Sequence, residues 1–387
     1  MKPLPLAARA GEIAPFRVME ILARAKALEA AGRDVIHLEI GEPDFATPAP
    51  IVEAGVRALR DGHTHYTGAL GLIELREAIA AFHATRWNAP VDAARVIVTP
   101  GASGALLLAL GLLAGPDDEV LMADPGYPCN RHFARFCEAR TVSVPVDAAT
   151  GFQLTRDLVA AYATPATRAV LVASPSNPTG TVMPFDELAR IRDWCAERRI
   201  ALIVDEIYLA LTYDGGEHSA AVWDDVFVVN SFSKYFLMTG WRLGWLVAPA
   251  WAMPALERLA QNLFLAAPTP AQHAARAAFK PGTLALLEAR KAELRQRRDY
   301  LLPALRGLGF AIPVAPQGAF YLYADCSRFD ADSQSLADRL LAQAGVAVTP
   351  GLDFGAHRAA QHLRIAYTQP LARLNEAVDR LKRFVQA

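Results

Sequence analysis

Ser231-Phe232-Ser233-Lys234, with Arg242 eight residues past the lysine, puts a primary amine, two hydroxyls and a guanidinium in one short segment. The amine can condense with an aldehyde to form an imine. The hydroxyls and the planar guanidinium fork can bind phosphate oxygens. Together these groups suit a cofactor that carries both an aldehyde and a phosphate. Apolar runs flank the segment, Val226 to Val229 before it and Leu243 to Val247 after it, and both read as buried strands. The lysine is therefore expected just past the C-terminal end of a strand, where open α/β sheets place their ligands.

Other segments carry groups of matching chemistry. Asp205 ends the apolar run Ala201 to Val204, and Tyr208 follows three residues later. A carboxylate there either caps a helix or sits beside a cationic ring nitrogen, which it would keep protonated. Thr99-Pro100-Gly101-Ala102-Ser103-Gly104 joins a strand to a helix, so free backbone N–H groups and the helix dipole favour an anion. Tyr127, in Asp124-Pro125-Gly126-Tyr127-Pro128, is either a core residue or a ring presented by its turn for stacking. Ser176-Asn177-Pro178-Thr179-Gly180 is at least an Asn-Pro turn. Arg364, within Leu363-Arg364-Ile365, is a charge in an apolar strand and needs an anionic partner.

Taken as strings, the lysine segment, Val204-Asp205-Glu206-Ile207-Tyr208 and Asn177-Pro178-Thr179-Gly180 resemble motifs of the class I and II pyridoxal-phosphate aminotransferases. These are fold type I enzymes of the aspartate aminotransferase superfamily, and the resemblance runs from about residue 12 to the C-terminus. It implies that pyridoxal 5'-phosphate attaches at Lys234, with Ser231, Ser233, Arg242, Ala102, Ser103 and Gly104 on its phosphate. It further implies that Asp205 pairs with the ring nitrogen, Tyr208 and Asn177 contact the phenolic oxygen, and Tyr127 stacks on the ring. Lys234, Asp205 and Tyr208 are then the catalytic residues. Arg364, Asn177 and the backbone of Gly41 take the α-carboxylate of the substrate. His65-Tyr66-Thr67-Gly68 resembles the segment by which one subunit reaches its neighbour, so a homodimer with Tyr66 acting in trans is expected.

The implied reaction moves an amino group between an L-amino acid and a 2-oxo acid, with Lys234 as the proton carrier. Aspartate-using relatives place a lysine where Ser103 stands, so neutral or aromatic donors are expected over aspartate. The same residues also serve β-elimination and ring closure on an adenosylmethionine-like substrate, which keeps a C–S lyase or other Cα/Cβ chemistry on the same fold as the alternative. A regulator built on this fold is a distant one, because the first motif already appears at Gly41.

The elements that must position these residues alternate along the chain. Short apolar runs at Val96 to Val98, Val120 to Ala123, Ala169 to Ala173, Ala201 to Val204, Val226 to Val229 and Trp245 to Ala248 alternate with helical segments such as Gly104 to Leu113 and Phe185 to Arg198. This predicts an α/β fold with a mostly parallel sheet of about seven strands covered by helices on both faces. A first helix over 15–31 precedes a strand from Val35 to Ile40. A charged amphipathic helix, Leu284 to Leu302, leads to strands Phe320 to Ala324 and Leu363 to Tyr367 and helices Ser335 to Ala344 and Leu371 to Val385. The expected division is an N-terminal segment (1–45) packing on the smaller domain, a large cofactor-binding domain (46–280) and a small α+β domain (281–387).

Composition narrows the classes. The 387 residues are 53% hydrophobic and 20% charged with a net charge of −1, which fits a globular protein and offers no basic surface for nucleic acid or membrane. Cys129, Cys137, Cys195 and Cys326 are scattered without a CxxC, and His63 and His65 are the closest histidine pair, so no metal site is expected. Reduced thiols and the lack of an apolar signal core point to the cytoplasm.

Overall fold

The computed structural model describes residues 4–386. The first paired strand is β1 (Ile36–His37). Seven strands follow: β2 (Val96–Thr99), β3 (Glu119–Asp124), β4 (Arg140–Pro145), β5 (Thr167–Ala173), β6 (Ala201–Asp205), β7 (Phe227–Ser231) and β8 (Gly244–Val247). They form one sheet in the order β2-β8-β7-β6-β5-β3-β4, in which β8 alone runs against its neighbours. The mostly parallel α/β sheet expected from the alternation is present. Strands β2, β6, β7 and β8 are buried almost throughout, as helices on both faces require. The helix Gly101–Leu113 is apolar nearly all round, and seven of its residues are buried.

Beyond the sheet, the helix Pro281–Leu308 runs for 28 residues, longer at both ends than the charged pattern predicts. Proline is tolerated in a first helical turn, where its missing N–H costs nothing, so the helix starts at Pro281. After it come β9 (Tyr321–Asp325), β10 (Val346–Ala347), β11 (Thr349–Pro350) and β12 (His362–Ala366). Strands β11, β12 and β9 make an antiparallel sheet, and β10 pairs in parallel with β1.

Several expected boundaries shift. The run Val35 to Ile40 pairs only at Ile36 and His37, because the Glu39 carbonyl accepts from the Thr349 hydroxyl and the Arg364 guanidinium instead of a ladder N–H. The edge strand β4 was not anticipated, since Arg140, Thr141 and Ser143 interrupt any apolar run. The helix expected over Ser335 to Ala344 begins at Ser333 and widens to a π-turn over Leu340–Ala344. No helix among the described residues is long and apolar enough to cross a membrane.

Parallel strands bring their C-terminal ends to one edge, and the loops leaving β2, β3, β5, β6 and β7 all open there. These loops carry Ala102 and Ser103, Tyr127, Asn177, Tyr208 and Lys234. Arg364 arrives on β12. The turn holding Gly41 is anchored by Asp44, whose carboxylate takes two hydrogen bonds from the buried Arg297 at 2.7 and 3.1 Å.

Candidate active site

These groups converge on a cavity of about 270 Å³. Gly41, Ala102, Ser103, Tyr127, Asn177 and Asp205 line it, together with Tyr208, Ser231, Ser233, Lys234, Arg242 and Arg364. Two anticipated residues are absent from the wall. Gly104 lies behind it, where a Cβ would meet Pro100 at 3.0 Å and the Phe264 ring at 3.6 Å; the helix has turned its fourth residue away from the opening. Tyr66 is 80% exposed and lies outside the cavity of its own chain.

Lys234 extends its amine to the Gly41 carbonyl, with Nζ donating at 2.7 Å. Burial pushes this amine down to about 8, so a useful fraction is neutral near physiological pH. Asp205 ends β6 and is 6% exposed. Its Oδ1 accepts the Ile207 N–H at 3.1 Å. Burial pushes this carboxyl up to about 7, which marks a carboxylate that a cation placed beside it would hold ionised. The Tyr208 and Tyr321 hydroxyls are 2.9 Å apart, and burial holds the Tyr208 hydroxyl well above its usual range.

The opposite end suits a phosphate. The Ser231 hydroxyl accepts from the Ser233 N–H at 3.0 Å. Arg242 donates to the Thr239 carbonyl at 2.9 Å and to the Ser233 hydroxyl at 3.5 Å. Its backbone is left-handed at φ 53, a conformation costing about 1 kcal/mol or more that persists where the surroundings hold a functional group in place. Facing it, Gly101 has φ +71, and a Cβ there would come within 2.5 Å of the Arg242 guanidinium. The glycine thus lets the start of the helix Gly101–Leu113 approach the cation, and its N-terminus adds the positive end of a dipole.

Arg364 is 2% exposed. Its guanidinium donates to Asn177 Oδ1 at 3.1 Å, to Thr349 Oγ1 at 3.3 Å and to the Glu39 carbonyl. Tyr321 and Phe354 present their rings to it, with centroids 4.5 and 4.8 Å away. Among the described residues no carboxylate pairs with it, and its Nε has no partner. A buried guanidinium of this kind is costly unless an anion joins it.

Sequence reasoning missed part of the wall. Phe16, Val18, Met19 and Leu22, from the start of the helix Arg17–Ala30 and the residue before it, line one side, joined by Ile40 and Leu106. Tyr321 and Glu42 were also missed. Their only signal was local: an amphipathic helix, a strand tyrosine and a turn glutamate, each of which has an ordinary structural reading.

The donor set fits a phosphorylated pyridine aldehyde. One end offers hydroxyls, a guanidinium and a helix N-terminus for the phosphate. The same wall offers a lone amine and a buried carboxylate.

Comparison with known proteins agrees with this chemistry. The profile of the family "Aminotransferase class I and II" matches residues 33–381. A valine–pyruvate aminotransferase of Mycobacterium tuberculosis is 39% identical over 379 residues, covering 97% of each chain. An arginine–pyruvate transaminase of Pseudomonas aeruginosa is 37% identical over 362 residues, covering 92% of each. The crystal structure of an aminotransferase from Mycobacterium tuberculosis superposes with a TM-score of 0.96 at 38% identity, covering 99% of this chain and all of the other. That of the Thermus thermophilus aspartate aminotransferase with maleate gives 0.93 at 34%, covering 98% and 100%. The chain belongs to the class I and II aminotransferases, with their fold type I architecture, and it moves amino groups between amino acids and 2-oxo acids.

Proposed function

We propose that this aminotransferase works with pyridoxal 5'-phosphate attached through Lys234 and prefers neutral, apolar L-amino acids as donors. When bound, the cofactor supplies an electron-withdrawing ring that acidifies the Cα–H of the substrate. The protein's own groups do the rest. Ser231, Ser233, Arg242 and the N–H groups at Ala102 and Ser103 hold the phosphate. Asp205 keeps the ring nitrogen protonated. Tyr208 and Asn177 serve the phenolic oxygen, and Tyr127 covers a ring face. Arg364, with Asn177 and the Gly41 backbone, takes the α-carboxylate. Once an incoming substrate amine has displaced it, the Lys234 amine, held low by burial, would accept the Cα proton.

One observation carries this reading. The buried Arg364 guanidinium lines the same cavity as Lys234 and Asp205 and, among the described residues, has no carboxylate of its own. The donor preference is supported by the uncharged Ser103 and the apolar side made by Phe16, Val18, Met19, Leu22, Ile40 and Leu106. Relatives named for valine and for arginine, both with pyruvate, set the range of donors to be tried. The exposed Tyr66, outside its own chain's cavity, supports a homodimer in which it reaches the partner's phosphate; a monomer by light scattering would end that part. Division into an N-terminal segment to 45, a cofactor domain to 280 and a small domain beyond is supported by the two sheets and the long helix between them.

Borohydride reduction of the holoenzyme followed by peptide mapping tests the attachment. Lys234 should carry the label, and a label on any other lysine sinks the assignment. A donor panel with pyruvate or 2-oxoglutarate tests the preference. Ammonia release without an acceptor would favour lyase chemistry instead.

A further inference from the structure

Tyr321 lies between Tyr208, Arg364 and the Gly41 turn, yet none of the roles assigned above uses it. It sits on β9, is 1% exposed and lines the cavity. Its hydroxyl is 2.9 Å from that of Tyr208. Its ring centroid lies 4.5 Å from the Arg364 guanidinium carbon. A Cβ on Gly41 would lie 2.3 Å from the Tyr321 hydroxyl, so only glycine admits this ring beside the turn whose carbonyl receives the Lys234 amine. One side chain therefore touches the tyrosine, the arginine and the glycine turn.

We propose that Tyr321 is a positioning residue. Its hydroxyl sets the direction of the Tyr208 proton, and its ring seats Arg364, so that one rigid phenol registers these two groups to each other. The proposal rests on the functional reading above.

A phenol has one proton to donate and two lone pairs to accept with. In a pair of phenols one hydroxyl donates to the other, and the acceptor's own proton is then free for a third group. The guanidinium lying over the Tyr321 ring withdraws electron density from it, which makes Tyr321 the stronger donor. Tyr321 thus donates to Tyr208, and the Tyr208 proton is left to point into the cavity. The Tyr208 ring meets those of Phe320 and Tyr321 edge-on, at 5.4 and 5.8 Å, which fixes where its hydroxyl sits.

The test uses holoenzyme of Tyr321→Phe and Tyr321→Leu beside wild type, with Tyr208→Phe as reference. The readouts are the pH midpoint of the bound cofactor's visible absorption, and KM separately from kcat. Tyr321→Phe keeps the ring and loses the hydroxyl. Its midpoint should rise by about half to one unit, in the direction of Tyr208→Phe, because a bond favouring the ionised phenolic oxygen weakens. Its KM for the amino donor should stay within about twofold of wild type, since the ring under Arg364 remains. Tyr321→Leu should show the same midpoint and a KM higher by roughly 3- to 30-fold, because the cation loses its ring. A Tyr321→Phe midpoint equal to wild type while Tyr208→Phe shifts would overturn the proposal, as would equal KM values for the two Tyr321 variants. Tyr321→Phe is close to isosteric, so its midpoint decides the hydroxyl role even where the leucine variant fails to fold. The wild-type titration is read first: the lack of any visible band there would count against the cofactor assignment, not against Tyr321.

Discussion

Arg364→Leu should separate recognition of the substrate carboxylate from every other part of the reaction. A carboxylate docked on this guanidinium would gain about two charge-assisted hydrogen bonds, each worth roughly 1.5–3 kcal/mol. Losing them should cut kcat/KM for an α-amino acid by about 10² to 10⁴. The variant also strips a donor from Asn177 Oδ1, Thr349 Oγ1 and the Glu39 carbonyl, all buried. Of these only Asn177 Oδ1 loses its partner altogether, because the Thr349 hydroxyl still donates to the Glu39 carbonyl; one unsatisfied buried acceptor costs about 1–3 kcal/mol, so a lower melting temperature is expected alongside. The control that isolates recognition is the decarboxylated amine with the same side chain. It has no carboxylate to lose, so its kcat/KM should fall by no more than about tenfold. Cofactor content, read from visible absorbance, should barely change, because Arg364 makes none of its hydrogen bonds to Ser231, Ser233 or Arg242. A parallel fall for the amine and the amino acid would refute the reasoning and reduce Arg364 to a structural cation.

Asp205→Asn should retain most of its cofactor and keep the acceptor that meets the Ile207 N–H at 3.1 Å; turnover should drop by about 100-fold or more, since a neutral amide no longer favours a ring cation, and wild-type kcat would reassign that role. His37→Gln addresses stability. His37 bonds Glu39 at 2.7 Å and Glu29 at 3.1 Å, and chiefly the Glu39 bond raises its pKa from 6.5 to about 9. A raised pKa means the folded state holds the proton more tightly, so the stabilisation is complete below about pH 6.5 and fades as pH rises through about 9. After allowing for solvent screening at this half-buried pair, the difference between wild type and His37→Gln in urea unfolding should shrink by about 1–2 kcal/mol across that window. A difference independent of pH would show that the pair contributes nothing through its charge.

The parts of this protein legible in its sequence share a physical cause. Strands β6 and β7 read clearly because burial on both faces demands continuous apolar runs, as in Leu202 to Val204 and Phe227 to Val229. Strand β4 was missed because an edge strand need not be apolar, and Arg140 and Thr141 there resemble loop residues. The same divide runs through the site. Lys234, Asp205 and Arg364 announce themselves because charge in an apolar context is expensive and asks for a partner. Met19, Leu22 and Leu106 do not, since an apolar residue facing a cavity and one facing the core follow the same helical period. Tyr321 falls between the two. Its ring belongs to the strand pattern of Phe320 to Ala324, and only its hydroxyl, which needs a partner once buried, separates it from a core residue. The proposed chemical groups are therefore residues whose cost of burial makes them visible, whereas the apolar lining of the cavity is made of residues that cost nothing to bury. That is why the proposed donor preference could be argued from sequence only through a charge missing at Ser103, whereas the folded cavity adds an apolar lining of Phe16, Val18, Met19, Leu22 and Leu106 to the argument.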